Sequence, residues 1–267
     1  MSLGVAVVGA GGRMGRMLVD VIARGEDVHL AAACDRPDGA AVGRDAGEMA
    51  GSGPSGVVVT EDPDAAIAGA DVVIDFSLPE ATPAVVAACR RHGRPLVLGT
   101  TGLGDAEREA VAELAGQVPV VHAANYSTGV TLLTALVEQA ARAIGAQSDV
   151  EIIEAHHRNK VDAPSGTALR LGETVARATG RDLASSAVYG RQGHTGVRPR
   201  EAIGFETIRA GDIVGEHTVL FAGDGERIEL AHKASSRTTF ASGAVRAARW
   251  VVDQPAGLYD IRDMIGV

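Results

Sequence analysis

Leu3-Gly4-Val5-Ala6-Val7-Val8-Gly9-Ala10-Gly11-Gly12-Arg13-Met14-Gly15-Arg16-Met17-Leu18, residues 3–18, is the stretch whose reading decides the fold. Residues 3–8 are an aliphatic run, the pattern of a strand covered on both faces of a parallel sheet. Glycines at 9, 11, 12 and 15 follow at once. Met14, Met17, Leu18, Val21 and Ile22 then recur at i, i+3, i+4, i+7 and i+8, one face of a helix, and Gly25 stands where that helix should stop. A strand, a glycine-rich turn and a helix make a dinucleotide site. The turn is sharp, its backbone can approach a pyrophosphate, and the helix start offers N–H groups to the charge. The spacing departs from GxGxxG because residue 14 is Met; it reads as GxxGxxG through Gly9, Gly12 and Gly15. Glycines alone would also fit a plain tight turn, but the flanking strand and helix and an acid further on give the context that the motif needs.

Outward from this unit the alternation continues. Residues 28–34, 57–59, 72–75, 96–98 and 118–121 read as strands. Helices read over 79–91, with proline at the first position, and over 105–114. Strands alternating with helices predict a Rossmann-like, doubly wound parallel sheet. Residues 43–56, rich in Gly and Ser, read as a surface loop. The pattern changes near residue 127. After helices at 130–144 and 167–178, with a strand at 150–154 between them, strands dominate at 202–209, 216–221 and 227–231. Asp224-Gly225 between two of these is a hairpin signal. This part reads as a smaller α+β domain with an open, mixed or largely antiparallel sheet, and a last helix spans 240–252. The change near residue 127 therefore separates a dinucleotide-binding part from a second domain.

Composition agrees with this and narrows the function. Apolar residues make up 46% of the 267 and aromatic ones only 3%, so the core is aliphatic. The net charge of −9 argues against broad binding to nucleic acid or to an anionic membrane, both of which need basic surface. No run approaches the roughly 18 apolar residues of a membrane span. With no signal-peptide pattern at the start, the expected location is the cytoplasm. Cys34 and Cys89 form no CxxC pair and read as buried free thiols.

Asp35 lies 20 residues after Gly15 and just past the second strand, where a carboxylate meets the ribose hydroxyls of NAD. Arg36 beside it, or Arg13 in the turn, is suited to the 2′-phosphate of NADP, so both NADH and NADPH are expected to bind. Residues 75–79, 99–102 and 123–127 sit at later strand ends, where ligands of such sheets bind.

The densest chemistry is Glu154-Ala-His156-His157-Arg158-Asn159-Lys160-Val-Asp162-Ala-Pro-Ser165-Gly166-Thr167. Four basic or titratable groups in five residues of an acidic chain precede a Ser-Gly-Thr helix start with free N–H groups. Together they suit a small dicarboxylate: one carboxylate on the helix start, cationic side chains around it, and a group to move a proton. Zinc is a poor alternative, because HExxH is absent and adjacent histidines on an extended chain point apart. A merely solvated basic loop does not need the helix start, and a Schiff base on Lys160 is less simple than proton donation.

GAGGRMG at 9–15, DFSLPE at 75–80, GTTG at 99–102, AANYSTGV at 123–130, EAHHRNKVDAPSGTA at 154–168 and SRTTFASGAVRAA at 236–248 together resemble the 4-hydroxy-tetrahydrodipicolinate reductase (dihydrodipicolinate reductase) family along the whole chain. The resemblance implies NADH- or NADPH-dependent reduction of the cyclic synthase product to tetrahydrodipicolinate, with loss of water, in lysine and diaminopimelate biosynthesis. It implies that His156 is a proton donor/acceptor and Lys160 a proton donor, with His157, Ser165, Gly166 and Thr167 binding substrate. It implies cofactor contacts at Gly9, Ala10, Gly11, Gly12, Arg13, Met14, Asp35, Arg36, Gly99, Thr100, Thr101, Ala123, Ala124, Asn125 and Tyr126, and a homotetramer built through the second domain's sheets. It also implies that the final helix returns to the first domain, which gives a dinucleotide-binding domain of residues 1–127 and 237–267 and a substrate-binding and oligomerisation domain of residues 128–236. Asn159 departs from relatives that carry a third histidine there, which alters the electrostatics around His156 and Lys160. Competing readings are another Rossmann-type dehydrogenase and a non-catalytic nucleotide sensor. Neither cysteine lies near the cationic cluster in sequence to serve as the nucleophile of a semialdehyde dehydrogenase, and a sensor has no need of His156 and Lys160 beside a carboxylate site.

Overall fold

A computed structural model describes residues 2–267. In chain order the elements are β1 (Leu3–Val8), α1 (Arg13–Ala23), β2 (Val28–Cys34), α2 (Ala46–Ala50), α3 (Pro63–Ala68), β3 (Val72–Asp75), α4 (Thr82–His92), β4 (Leu96–Leu98), α5 (Asp105–Ala115), β5 (Pro119–His122), α6 (Thr128–Ile144), β6 (Asp149–His156), α7 (Gly166–Thr179), α8 (Leu183–Ser186), β7 (Ala187–Tyr189), β8 (Ile203–Arg209), β9 (Gly215–Ala222), β10 (Arg227–Ala234), α9 (Thr238–Val251), β11 (Gly257–Tyr259) and α10 (Ile261–Ile265). They fall into two compact units, residues 2–128 with 238–266, and residues 129–237.

In the first unit six parallel strands run in the order β11-β5-β4-β3-β1-β2. Alternation along β1 sends Val5 and Val7 to one face, against Leu18 and Ile22 of α1 and Ala244 and Val245 of α9. It sends Ala6 and Val8 to the other, against Val85 and Val86 of α4. Both faces are covered, as a parallel sheet of aliphatic strands requires. The register aligns Val8 with Cys34 and Asp75, Asp75 with Leu98, and Leu98 with His122, so all these strands end along one edge.

Several local expectations change. Residues 57–59 form only isolated bridges, Asp45 with Val58 and Cys34 with Thr60. The stretch 43–56 holds the short helix α2, because the Asp45 side chain accepts from the Glu48 amide and from Ser55 and Gly56. Pro79 opens a short 3-10 turn (Pro79–Ala81) ahead of α4.

The second unit is a five-stranded sheet in the order β10-β9-β6-β8-β7. It is evenly mixed and not largely antiparallel: β6 and β7 pair parallel with β8, while β9 pairs antiparallel with β6 and β10. The helical connection between β6 and the later strands allows the parallel pairs. The β9–β10 hairpin turns at Asp224-Gly225, with Gly225 at φ +88. Leu133 and Val137 of α6 and Leu171 and Val175 of α7 pack with Val150, Ile152, Phe205, Val219 and Phe221 on one face of the sheet.

Candidate functional site

The first unit carries a cleft of about 670 Å³ whose lining includes Gly9, Gly11, Gly12, Arg16, Asp35, Arg36, Phe76 and Ser77. It lies where strand order reverses, between the ends of β1 and β3, the usual ligand position in such sheets. Gly9 has φ +80, and a Cβ there would meet the Phe76 carbonyl at 2.8 Å. A Cβ at Gly15 would lie 2.1 Å from the Gly9 carbonyl, and one at Gly11 would lie 2.1 Å from Asp35 Oδ2. At Gly12 the nearest atom is 3.2 Å away. Protein sterics therefore demand glycine at 9, 11 and 15 and least at 12. Gly12 is instead the N-cap of α1, without a side-chain cap and with no acid in the first turn, so the helix start keeps its amides and positive end for an anion. These features fit a dinucleotide pyrophosphate.

Asp35 accepts from the Gly11 amide at 2.6 Å and from the Arg36 amide at 2.8 Å. Of the basic residues of the turn, Arg16 lines the cleft and Arg13 does not. Arg16 was missed in the sequence; it stands one position beyond the motif. Ala10 is buried, and Met14 packs partly into the core. Gly99, Thr100 and Thr101 follow β4, and a Cβ at Gly99 would strike the Phe76 ring at 2.3 Å. Ala123, Ala124, Asn125 and Tyr126 follow β5. The Tyr126 side chain is fully buried and donates to the Leu98 and Val121 carbonyls at 2.9 and 3.0 Å, so it pins two strand ends and leaves only its backbone for a ligand.

The second unit gathers the cationic cluster at the end of β6. Glu154 and His156 are two apart on the strand and share a face. His156 Nδ1 lies 2.6 Å from Glu154 Oε2. Arg209, at the end of β8, grips both Glu154 oxygens at 2.8 Å, and the Ser165 amide donates to Oε1 at 3.0 Å. Burial raises the Glu154 carboxyl, but Arg209, His156 and the Ser165 amide outweigh it and bring its pKa to about 2. Burial lowers His156 against the pull of Glu154, so its ring is neutral at neutral pH. His217 of β9 meets His156 edge-on, with ring centroids 5.2 Å apart, and pairs through Nε2 with Ser165 Oγ at 2.9 Å. Burial and the adjacent His156 lower its pKa to about 4.

Lys160 pairs with Asp162 at 2.8 Å. The Ser165 hydroxyl caps α7 through the Ala168 amide and is engaged internally, while the amides of Gly166 and Thr167 have no acceptor within the helix. Arg237 donates to His157 Nε2 at 2.8 Å. Arg158 and Asn159 face solvent. Sequence reading gave no role to Glu154, Arg209, His217 or Arg237. The signals were there: Glu154 shares the inward period of His156, and His217 continues the inward period of Val219 and Phe221.

The family descriptions "Dihydrodipicolinate reductase, N-terminus" and "Dihydrodipicolinate reductase, C-terminus" match residues 3–126 and 129–265. The chain belongs to the dihydrodipicolinate reductase family. It is an oxidoreductase of the pyridine-nucleotide-dependent kind. Its relatives named 4-hydroxy-tetrahydrodipicolinate reductase include one from Halorhodospira halophila, 74% identical over the whole of both chains, and one from Alkalilimnicola ehrlichii, 60% identical over the same extent. Among solved structures, a dipicolinate-bound dihydrodipicolinate reductase from Paenisporosarcina sp. TG-14 superposes with a TM-score of 0.78 at 26% identity, covering 97% of this chain and 98% of that one.

Proposed function

We propose that the protein reduces 4-hydroxy-tetrahydrodipicolinate to tetrahydrodipicolinate, with loss of water, in lysine and diaminopimelate biosynthesis, using either NADH or NADPH. The observation that carries this is the juxtaposition in the second unit of a neutral, carboxylate-held His156, Lys160 and the uncapped amides of Gly166 and Thr167. The Paenisporosarcina relative with dipicolinate, a planar ring dicarboxylate, supports the same substrate class here.

The α7 start would take one substrate carboxylate through the Gly166 and Thr167 amides, with the Thr167 hydroxyl beside them. His157 and Arg237 would bind the substrate's other polar groups, and Lys160 would supply charge and a proton. Elimination of water leaves a conjugated imine. When bound, a reduced nicotinamide would supply hydride to a ring carbon, and one protein acid would deliver the proton that completes the addition. In the first unit the glycine turn and the start of α1 would hold the pyrophosphate. Asp35 would accept from ribose hydroxyls, while Arg36 and Arg16 would face a 2′-phosphate.

A cytoplasmic homotetramer is part of this reading. No helix among the described residues is long and apolar enough to cross a membrane. The sheet face of the second unit away from α6 and α7 leaves Ile208 half exposed, with Ile153 and Leu220 partly so. Light scattering at a mass of four chains would support the tetramer. The activity is tested with freshly generated synthase product and each nicotinamide in turn. Oxidation of either, lost in Lys160→Ala, supports the proposal; no oxidation by protein that binds NADH refutes the substrate.

A further inference from the structure

We propose that Glu154 is a positioning residue for proton transfer: one buried carboxylate fixes the tautomer of His156 and ties it to the start of α7 and to the Lys160 loop. This rests on the reductase reading above.

The geometry is unusual for an inward strand position. Glu154 is 1% exposed and stands in the same inward row as Val150 and Ile152, where an aliphatic side chain would be cheaper to bury than an ion pair. Its two oxygens instead collect His156 Nδ1, the Ser165 amide, both Arg209 nitrogens and, at 3.4 Å, Thr207 Oγ1. Each contact reaches a different part of the site. The Ser165 amide is the N-cap of α7. Arg209 also donates to the Asp162 carbonyl at 2.6 Å, and Asp162 holds Lys160.

An ionised carboxylate only accepts, so the proton between Glu154 and His156 belongs to Nδ1. Nε2 then carries the lone pair. A Cβ added at Gly215 would lie 3.1 Å from that atom, so β9 presents bare backbone beside it. The charged and titratable groups facing the ring are Glu154 on its own strand, Arg209 from β8, His217 from β9 and Lys160 from the following loop. His232 of β10 faces His217. Among these Glu154 alone is anionic, so its removal shifts His156 toward still weaker basicity.

Two measurements test this. In wild-type protein with labelled histidine, nuclear magnetic resonance should show neutral His156 protonated at Nδ1, its signals assigned by their loss in His156→Asn. In Glu154→Gln, kcat should fall about 10- to 100-fold with KM nearly unchanged, and the acid limb of the kcat/KM profile should move to lower pH. An Nε2-protonated ring in the wild type overturns the proposal, whether or not the variant folds. So does a Glu154→Gln enzyme with wild-type kcat and pH profile. Both outcomes leave the reductase reading standing, whereas a wild type without turnover on either nicotinamide overturns the two together.

Discussion

Replacing Gly15 by Ala separates nucleotide affinity from stability. The added Cβ would sit 2.1 Å from the Gly9 carbonyl oxygen and 2.6 Å from Ala10 Cα. Both are backbone atoms of the turn, so no side chain can swing away. Restoring ordinary contact at about 3.5 Å opens the turn by roughly 1 Å. Overpacking of this kind costs about 1–3 kcal/mol, and the better helix propensity of Ala returns about 1 kcal/mol, so the net loss of stability is modest. Binding suffers more. A turn displaced by about 1 Å loses at least one N–H bond to a charged pyrophosphate, about 1.5–3 kcal/mol, which weakens nucleotide binding about 10- to 150-fold. Gly69→Ala, where no atom lies within 4 Å of the new Cβ, is the matched control. Fluorescence titration with NADH and thermal unfolding on the same samples read both quantities. A Gly15→Ala protein that binds NADH as tightly as the control would refute the steric argument.

Other expectations follow from the same contacts. Asp35→Ala should shift the ratio of NADPH to NADH turnover upward and Arg36→Ala downward, read from kcat/KM with each nicotinamide. Tyr126→Phe removes a buried donor shared by the Leu98 and Val121 carbonyls, of which Leu98 keeps the Ala123 amide at 3.2 Å, for a loss of about 0.5–1.5 kcal/mol in denaturant unfolding. His217 is held at about 4 in the folded protein against an ordinary 6.5. The unfolded chain therefore binds more protons in that window, and the stability that His217 contributes above pH 6.5 is lost as pH falls to about 4, roughly 3 kcal/mol in all. His217→Gln should flatten unfolding free energy against pH over that interval. Glu154 has the same sign lower down: its contribution, present above about 4.5, disappears toward pH 2.

The sequence was most legible where one periodicity ran unbroken. The aliphatic run at 3–8, the helical face from Met14 to Ile22 and the Asp224-Gly225 turn each carry a local pattern, and each appears in the structure as read. Short elements were less visible. β7 and β11 are three residues each and give no alternation to count, while α2 depends on the Asp45 cap, a signal hidden within a Gly- and Ser-rich stretch. The glycine turn showed that glycines were needed but not which ones, because the demand at Gly11 comes from Asp35, 24 residues on. The dense stretch at 154–167 was legible as chemistry. Its organisation was not, since Arg209 and His217 reach it only through strand pairing across about 50 residues.

Reductase activity is tested most directly by following the hydride itself. The protein is incubated with freshly generated synthase product and NADH carrying deuterium at the transferable position, and the product is analysed by mass spectrometry and carbon resonance. The expected product is tetrahydrodipicolinate carrying one deuterium on a ring carbon, formed in step with nicotinamide oxidation. Nicotinamide oxidised without deuterium in that product, or no oxidation at all by protein shown to bind NADH, would contradict the proposed reduction.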